Sequence, residues 1–217
     1  QTIATPEKNI ITVEDPVEYK ADNISQVQAN SKVGLTFAAG LRSILRQDPD
    51  VIMIGEVRDK ETASIAIQSA LTGHLVFSTL HTNNATSAIT RLVDMGIEKF
   101  LISSAILGVL AQRLVRKLCT KCKIVDDKSM SFLDEFSIPH DAVTYKSVGC
   151  ASCNYTGYSG RQAMGELFVM DDDITEMIKE DVDDHHIREV AVRNGMRPIS
   201  AQLKDMVISG DTSLDEA

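Results

Sequence analysis

The chain has 217 residues, 43% of them hydrophobic, which suffices for one large domain or a domain with a small appendage and excludes wholesale disorder. Aromatic residues make up 5%, Trp is absent and the formal charge is -9, so the chain offers neither a base-stacking surface nor a global basic footprint for DNA or RNA. The longest apolar stretch, Phe100 to Leu110, is interrupted by Ser103, Ser104 and Gly108 and is too short to span a bilayer, and no charged-then-apolar leader opens the chain.

In chain order, Asn9 to Glu14 reads as a buried strand through Ile10, Ile11 and Val13, ending at the Asp15-Pro16 turn. Ile24 to Ala29 alternates and reads as a second strand. Thr36 is placed to N-cap a helix with Phe37, Leu41, Ile44 and Leu45 on its apolar face, and Asp48-Pro49-Asp50 ends it. Val51 to Ile54 has the continuous apolar pattern of a central parallel strand. Asp59 caps a helix carrying Ile65, Ile67 and Leu71 that stops at Gly73; Leu75 starts another buried strand; Asn83-Asn84 opens a helix that closes at Gly96. A long apolar helix is expected from about Glu98 to Leu118. Beyond it, Met164 to Met170 reads as a strand, helical segments follow at Ile174 to Lys179, Asp184 to Arg193 and Pro198 to Ile208, and Asp211 to Ala217 reads as a frayed tail. Alternating strands and helices are the pattern of a doubly wound α/β sheet, which binds ligands at the carboxyl ends of its strands.

The charge is unevenly spread. Residues 1–118 carry 12 Lys+Arg and 12 Asp+Glu, whereas residues 119–217 carry 10 and 19. The shift falls at the first cysteine and suggests a core over 1–118, a cysteine-bearing subdomain and following strand over 119–170, and a C-terminal helical region over 171–217. The cysteines form two Cys-x2-Cys pairs, Cys119/Cys122 and Cys150/Cys153, with 27 residues between them. Without leader or membrane span the default setting is the cytosol, where thiols stay reduced and paired cysteines favour a metal over a disulfide. Two such knuckles suit one tetrahedral zinc ion in a closed, structural site.

Three further clusters sit at strand ends. Glu14-Asp15-Pro16-Val17-Glu18 gathers carboxylates that suit Mg2+ or a water to be activated, or that merely cap a turn. Val51 to Ile54 leads through Gly55 to Glu56, an apolar strand ending in an acid, as in Walker-B-type strands. In Thr72 to Thr82 two histidines flank a strand, His74 before it and His81 after it. That separation argues against a shared metal and for two hydrogen-bonding sensors of phosphate or of the neighbouring acids.

Taken together, in this order, the four clusters resemble the C-terminal ATPase domain of the secretion-motor ATPases that drive type II secretion and type IV pilus assembly. Ile11 to Tyr19 matches the family's aspartate box, Ile54 to Asp59 its atypical Walker B, Thr72 to Thr82 its histidine box and the four cysteines its zinc motif. The resemblance implies an α/β fold with a partial RecA-like P-loop ATPase core, a parallel sheet flanked by helices, with a tetracysteine zinc insert and a C-terminal helical region. It implies Glu14, Glu56 and His81 as catalytic residues. Asp15, Glu18, Arg42, Arg46, Arg58, His74 and Thr79 would line the nucleotide, with Arg42 and Arg46 facing a neighbouring subunit's nucleotide and Arg58 anchoring the Walker-B acid. The parent would use ATP and Mg2+ beside structural Zn2+. It would work as a cytoplasmic hexamer held at the inner membrane through a platform protein, with no transmembrane segment of its own and no nucleic acid. No G-x-x-x-x-G-K-[ST] occurs, so the chain is expected to begin after the phosphate loop and, alone, neither to bind ATP tightly nor to hydrolyse it. A pilus retraction motor, which by resemblance lacks the cysteines, and a non-catalytic zinc interaction module are the alternatives.

Overall fold

The computed structural model describes residues 2–126, 138–180 and 182–217. They form two compact units, Gln1–Val109 with Val169–Val190 and Leu110–Phe168 with Ala191–Ala217.

The first unit is built on a parallel sheet of β1 (Ile10–Glu14), β2 (Ser25–Gln28), β3 (Val51–Ile54) and β4 (Leu75–Ser78), in the order β2-β1-β3-β4. β1 and β3 occupy the centre, and their apolar residues are buried almost without interruption, as helices on both faces require. Those helices are α1 (Phe37–Ile44), α2 (Lys60–Leu71), α3 (Ser87–Asp94), α4 (Lys99–Ala105) and α5 (Asp172–Lys179). The sequence-predicted caps form: Thr36 Oγ1 accepts the Ala39 N–H at 3.2 Å, and Asp59 Oδ1 accepts the Thr62 N–H at 2.8 Å. Each side chain satisfies a backbone donor that the first turn leaves without a partner.

The core of this unit contains Val13, Leu41, Ile52 and Ile54, all fully buried. Truncating Leu41 to Ala removes three carbons from a close-packed interior. It is expected to cost about 2–5 kcal/mol, read as a lower urea midpoint at an unchanged slope. β4 differs from its neighbours. Among the described residues it pairs on one side only, and Leu75 and Phe77 are 38% and 47% exposed.

The helix α6 (Asp184–Arg193) opens on a local charge pair. Asp183 Oδ2 lies 2.6 Å from His186 Nδ1, and that hydrogen bond holds the imidazole above its ordinary value of 6.5 and the carboxyl below its ordinary value of 3.8. The raised histidine contributes stability fully below pH 6.5, lost as pH rises through its folded value. The lowered carboxylate contributes above pH 3.8, lost as pH falls through its own. NMR titration is expected to place His186 above 6.5, and D183N to bring it back.

In the second unit β5 (Gly108–Leu118) forms a ribbon with β8 (Tyr158–Val169), and β6 (Ile124–Val125) pairs antiparallel with β7 (Tyr145–Lys146). The helix expected from Glu98 to Leu118 therefore ends at Ala105, and its second half is a strand. Helical spacing of apolar residues lost to pairing with a strand forty residues on, the kind of tertiary override that strand propensity cannot anticipate. Asp211 to Ala217 is not frayed. Thr212, Ser213 and Leu214 are buried, the Leu118 N–H donates to the Asp211 carbonyl at 2.8 Å, and the Thr212 hydroxyl donates to the Arg116 carbonyl at 2.9 Å. Arg116 Nε donates to Glu216 Oε2 at 2.9 Å, and its guanidinium lies 4.2 Å from the centre of the Tyr158 ring. α7 (Ile199–Ile208) completes this unit, with Met206 against Val115 and Met164, and Val207 with Leu214 and Ile138. Glu166, 1% exposed, accepts the Ile199 N–H at 3.2 Å and so caps α7, whose preceding Pro198 has no capping side chain. Among the described residues no helix is long and apolar enough to cross a membrane.

Candidate functional site

The parallel register sets the first cluster. Val13 lies beside Ile54, so β1 and β3 deliver Glu14 and Gly55-Glu56 to the same carboxyl edge of the sheet. The Gly55 N–H donates to the Val13 carbonyl at 2.7 Å, and a Cβ on Gly55 would stand 3.3 Å from Glu14 Cα. A larger residue there would push the two acid-bearing strand ends apart.

Glu56, with its side chain 13% exposed, accepts from Arg58 Nε at 2.5 Å and lies 3.5 Å from His81 Nε2 through the same Oε2. His81 is 86% exposed, so it is available to a ligand as well as to Glu56. Thr79 binds the loop between them: its hydroxyl donates to the Gly55 carbonyl at 2.6 Å, and its own carbonyl accepts the Val57 N–H at 3.0 Å. Asp15 and Glu18 are exposed in the loop that follows Glu14. The structure thus brings Glu14, Glu56, Arg58, Thr79 and His81 to one edge, with Asp15 and Glu18 in the adjoining loop.

His74, Arg42 and Arg46 are placed elsewhere. His74 precedes β4 while His81 follows it, and four extended residues span roughly 13 Å. The His74 Nδ1 lies 3.0 Å from the Ser69 carbonyl and 3.3 Å from Thr72 Oγ1, at the end of α2. Arg42 pairs with Glu61 of α2 at 2.5 Å, and Arg46 lies 3.5 Å from Ser43 Oγ, both near the end of α1 that leads into the start of β3. The sequence reading missed Thr12 and Gln26. The Thr12 hydroxyl and the Gln26 amide donate to Glu14 Oε1 at 2.5 and 3.0 Å. Thr12 was detectable, being two residues before Glu14 and hence on its face of the sheet.

In the second unit the four cysteines converge. Their Sγ atoms all lie within 4.8 Å of one another, a set able to hold a metal ion. Cys119–Cys150 is 4.0 Å, while Cys122–Cys153 and Cys150–Cys153 are each 3.8 Å. Cys119 follows β5 directly, and the second pair brackets a single tight turn, Ala151–Cys153. Backbone N–H groups of Cys150 and Gly157 aim at Cys153 Sγ at 3.2 and 3.3 Å. The Cys150 N–H above all draws the Cys153 thiol down to about 6, while burial pushes Cys122 up to about 11. Gly157 has φ of +78°, and a Cβ there would stand 2.5 Å from Ser147 Cβ, so glycine is what lets the second knuckle close.

Comparison with known proteins agrees with this arrangement. The chain is 50% identical over 218 residues to the type II secretion system ATPase E of Vibrio cholerae, an alignment covering 100% of this chain and 43% of that protein. It is 49% identical to the type IV pilus assembly ATPase PilB of Thermus thermophilus, covering 99% of this chain and 24% of that one. The chain therefore spans less than half the length of these curated relatives. Among solved structures, the pilus retraction motor PilT with bound ADP superposes with a TM-score of 0.66 at 29% identity, over 96% of this chain and 51% of that one. The family described as "Type II/IV secretion system protein" matches residues 1–217, and with strand-end acids, histidine segment and four-cysteine cluster all in place, the chain belongs to that family.

Proposed function

We propose that this chain is the acid-bearing, zinc-stabilised part of a motor ATPase that works in protein secretion or pilus assembly. The observation that carries the reading is the delivery of Glu14 and Glu56 to adjacent carboxyl ends of a parallel sheet, with Arg58 and His81 on Glu56. In this reading Glu14 takes or orients the proton of the attacking water, Oε1 being held by its two donors while Oε2 is left open among the described residues. Glu56 serves the Mg2+ shell, a hard-cation role that suits a carboxylate, and Mg2+ there would neutralise charge on the terminal phosphates. Arg58 fixes Glu56, Thr79 fixes the loop between the strand ends, and exposed His81 senses the γ-phosphate region. Asp15 and Glu18 border the site. Arg42, on α1, and Arg46, in the turn after it, are left to a nucleotide held by a neighbouring subunit of a hexamer. His74 has no part in this cluster. Four thiolates at about 2.3 Å from one ion stand roughly 3.8 Å apart, and three of the sulfur separations are 3.8 to 4.0 Å, so the cysteines fit structural zinc.

Assembly or secretion is favoured over retraction because the relatives near 50% identity bear those names, whereas the retraction motor is at 29%. Docking to an inner-membrane platform protein belongs to the same proposal. No Gly-Lys dipeptide occurs in the 217 residues, so the phosphate-cradling loop of the active protein is proposed to come from other sequence. The open edge of β4 is a place where a further strand can pair. The expected result is negligible Mg-ATP turnover by residues 1–217 alone and robust turnover by a full-length protein that carries them. Robust hydrolysis by the 217-residue chain would overturn the proposal that its phosphate cradle lies elsewhere.

A further inference from the structure

We propose that Gln26, acting with Thr12, is the positioning residue for the Glu14 carboxylate and for the acidic loop that follows it. The inference rests on the reading of Glu14 as the water-handling base.

The sheet register brings the three residues together. Thr12 and Glu14 are two apart on β1 and share a face, and Thr12 lies directly beside Gln26 on β2. Thr12, 4% exposed, donates its hydroxyl to Glu14 Oε1 at 2.5 Å, and Gln26 Nε2 donates to the same oxygen at 3.0 Å. Two donors converging on one oxygen stop the carboxylate from turning about its terminal torsion, which is otherwise broad. They also fix which oxygen is left for water. A base that must meet its proton within hydrogen-bond reach needs that restriction.

The rest of the Gln26 amide holds the loop. Its Oε1 accepts the Ala21 N–H at 2.9 Å, and its Nε2 also donates to the Tyr19 carbonyl at 3.0 Å. One orientation of the amide satisfies all three bonds, since the acceptor must face the N–H and the donor must face carboxylate and carbonyl. Gln28 assists from the same strand, its Oε1 accepting the Val17 N–H at 3.4 Å. β2 therefore contributes two glutamines that hold the segment carrying Asp15 and Glu18. Of the two, Gln26 is the one whose side chain hydrogen-bonds the Glu14 carboxylate.

A loop staple and a positioning residue predict different outcomes. Thr12 contacts Glu14 but not the loop, so T12V removes the hydroxyl at nearly constant shape and leaves the loop bonds intact. In a full-length protein carrying this chain, T12V and Q26A are expected to lower kcat about 10- to 100-fold with the nucleotide KM unchanged. T12S, which keeps the donor, is expected to restore kcat. The T12V and T12S pair carries the test if Q26A fails to fold. Thermal midpoints read alongside exclude unfolding as the cause. Wild-type kcat in T12V and Q26A beside an inactive E14Q overturns the positioning role. A T12V protein that loses kcat only in proportion to lost folded protein also overturns it. Full activity in E14Q overturns instead the assignment of Glu14 on which the inference rests.

Discussion

Serine at Cys122 or Cys150 is expected to abolish metal binding and to unfold the knuckle-bearing unit, while the sheet-bearing unit keeps its own core. Wild-type chain purified without chelator should carry one zinc by elemental analysis, and chelation should reproduce the substitution. The metal contributes on the scale of the whole unit's net stability. The unit's two apolar clusters centre on Val115, Met164 and Met206 and on Ile138, Val207 and Leu214. Leu118, Phe168 and Met196 are buried in the same unit, so it has an apolar core of its own beside the cysteines. Structural zinc sites contribute about 10 kcal/mol or more to folding, as much as the whole net stability of a typical domain (about 5–15 kcal/mol), so loss of the metal is expected to unfold this unit. Circular dichroism and hydrogen exchange would follow the loss, with protection vanishing around Cys119–Cys122 and Cys150–Gly157 and persisting in β1 and β3. A metal-free protein with unchanged thermal midpoint and unchanged protection would sink the idea.

The cysteine cluster was legible from spacing alone because tetrahedral ligation by two short knuckles is a local geometric demand. The strand-end acids were legible for a related reason. A parallel strand buried on both faces has to be apolar along its length, so an acid at its end stands out, as Glu14 and Glu56 do. The pairing of Arg58 with Glu56 was expected from the family resemblance and not from spacing, since a loop of two residues does not fix where either side chain turns. Other features depended on partners distant in sequence. Gly108 to Leu118 carries no strand signature strong enough to outweigh its apolar, helix-like run; β8 and the chain end settle it. Asp211 to Ala217 read as a frayed tail because nothing local tells that the Leu118 N–H will donate to the Asp211 carbonyl or that the Arg116 carbonyl will accept the Thr212 hydroxyl. Gln26 was invisible for the same reason, since its significance arises only once β2 is set beside β1 in the observed register. His74 shows the converse. A histidine box read as one string places both imidazoles at one ligand, whereas an extended strand between them puts them at opposite ends of β4.

Replacing Glu14 by Gln in a full-length protein carrying this chain is expected to lower kcat about 10²- to 10⁴-fold, with the nucleotide KM nearly unchanged. The substitution is close to isosteric. The new amide oxygen can still accept from Thr12 and Gln26, so the side chain keeps its place and the strand ends keep their spacing. What faces the open side is then an NH2 group, a donor, which cannot take a proton from water. Shape is preserved and base chemistry is lost, and that is why the effect should fall on kcat. Glu56→Gln disturbs a different step. The amide oxygen can still accept from Arg58, but the negative charge that pairs with Arg58 and faces His81 and a hard cation is gone, so its loss should be accompanied by a changed dependence on Mg2+ concentration. Steady-state kinetics at varied Mg2+ separate the two: E14Q should stay slow at every concentration, and E56Q should shift its half-saturating Mg2+. Glu14→Asp gives the geometric control, because one methylene less withdraws the carboxylate by about 1.5 Å, beyond the reach of an oxygen held by two short hydrogen bonds. An E14Q protein that hydrolyses Mg-ATP at the wild-type rate would remove Glu14 from the chemistry and leave Glu56 as the acid nearest the reaction.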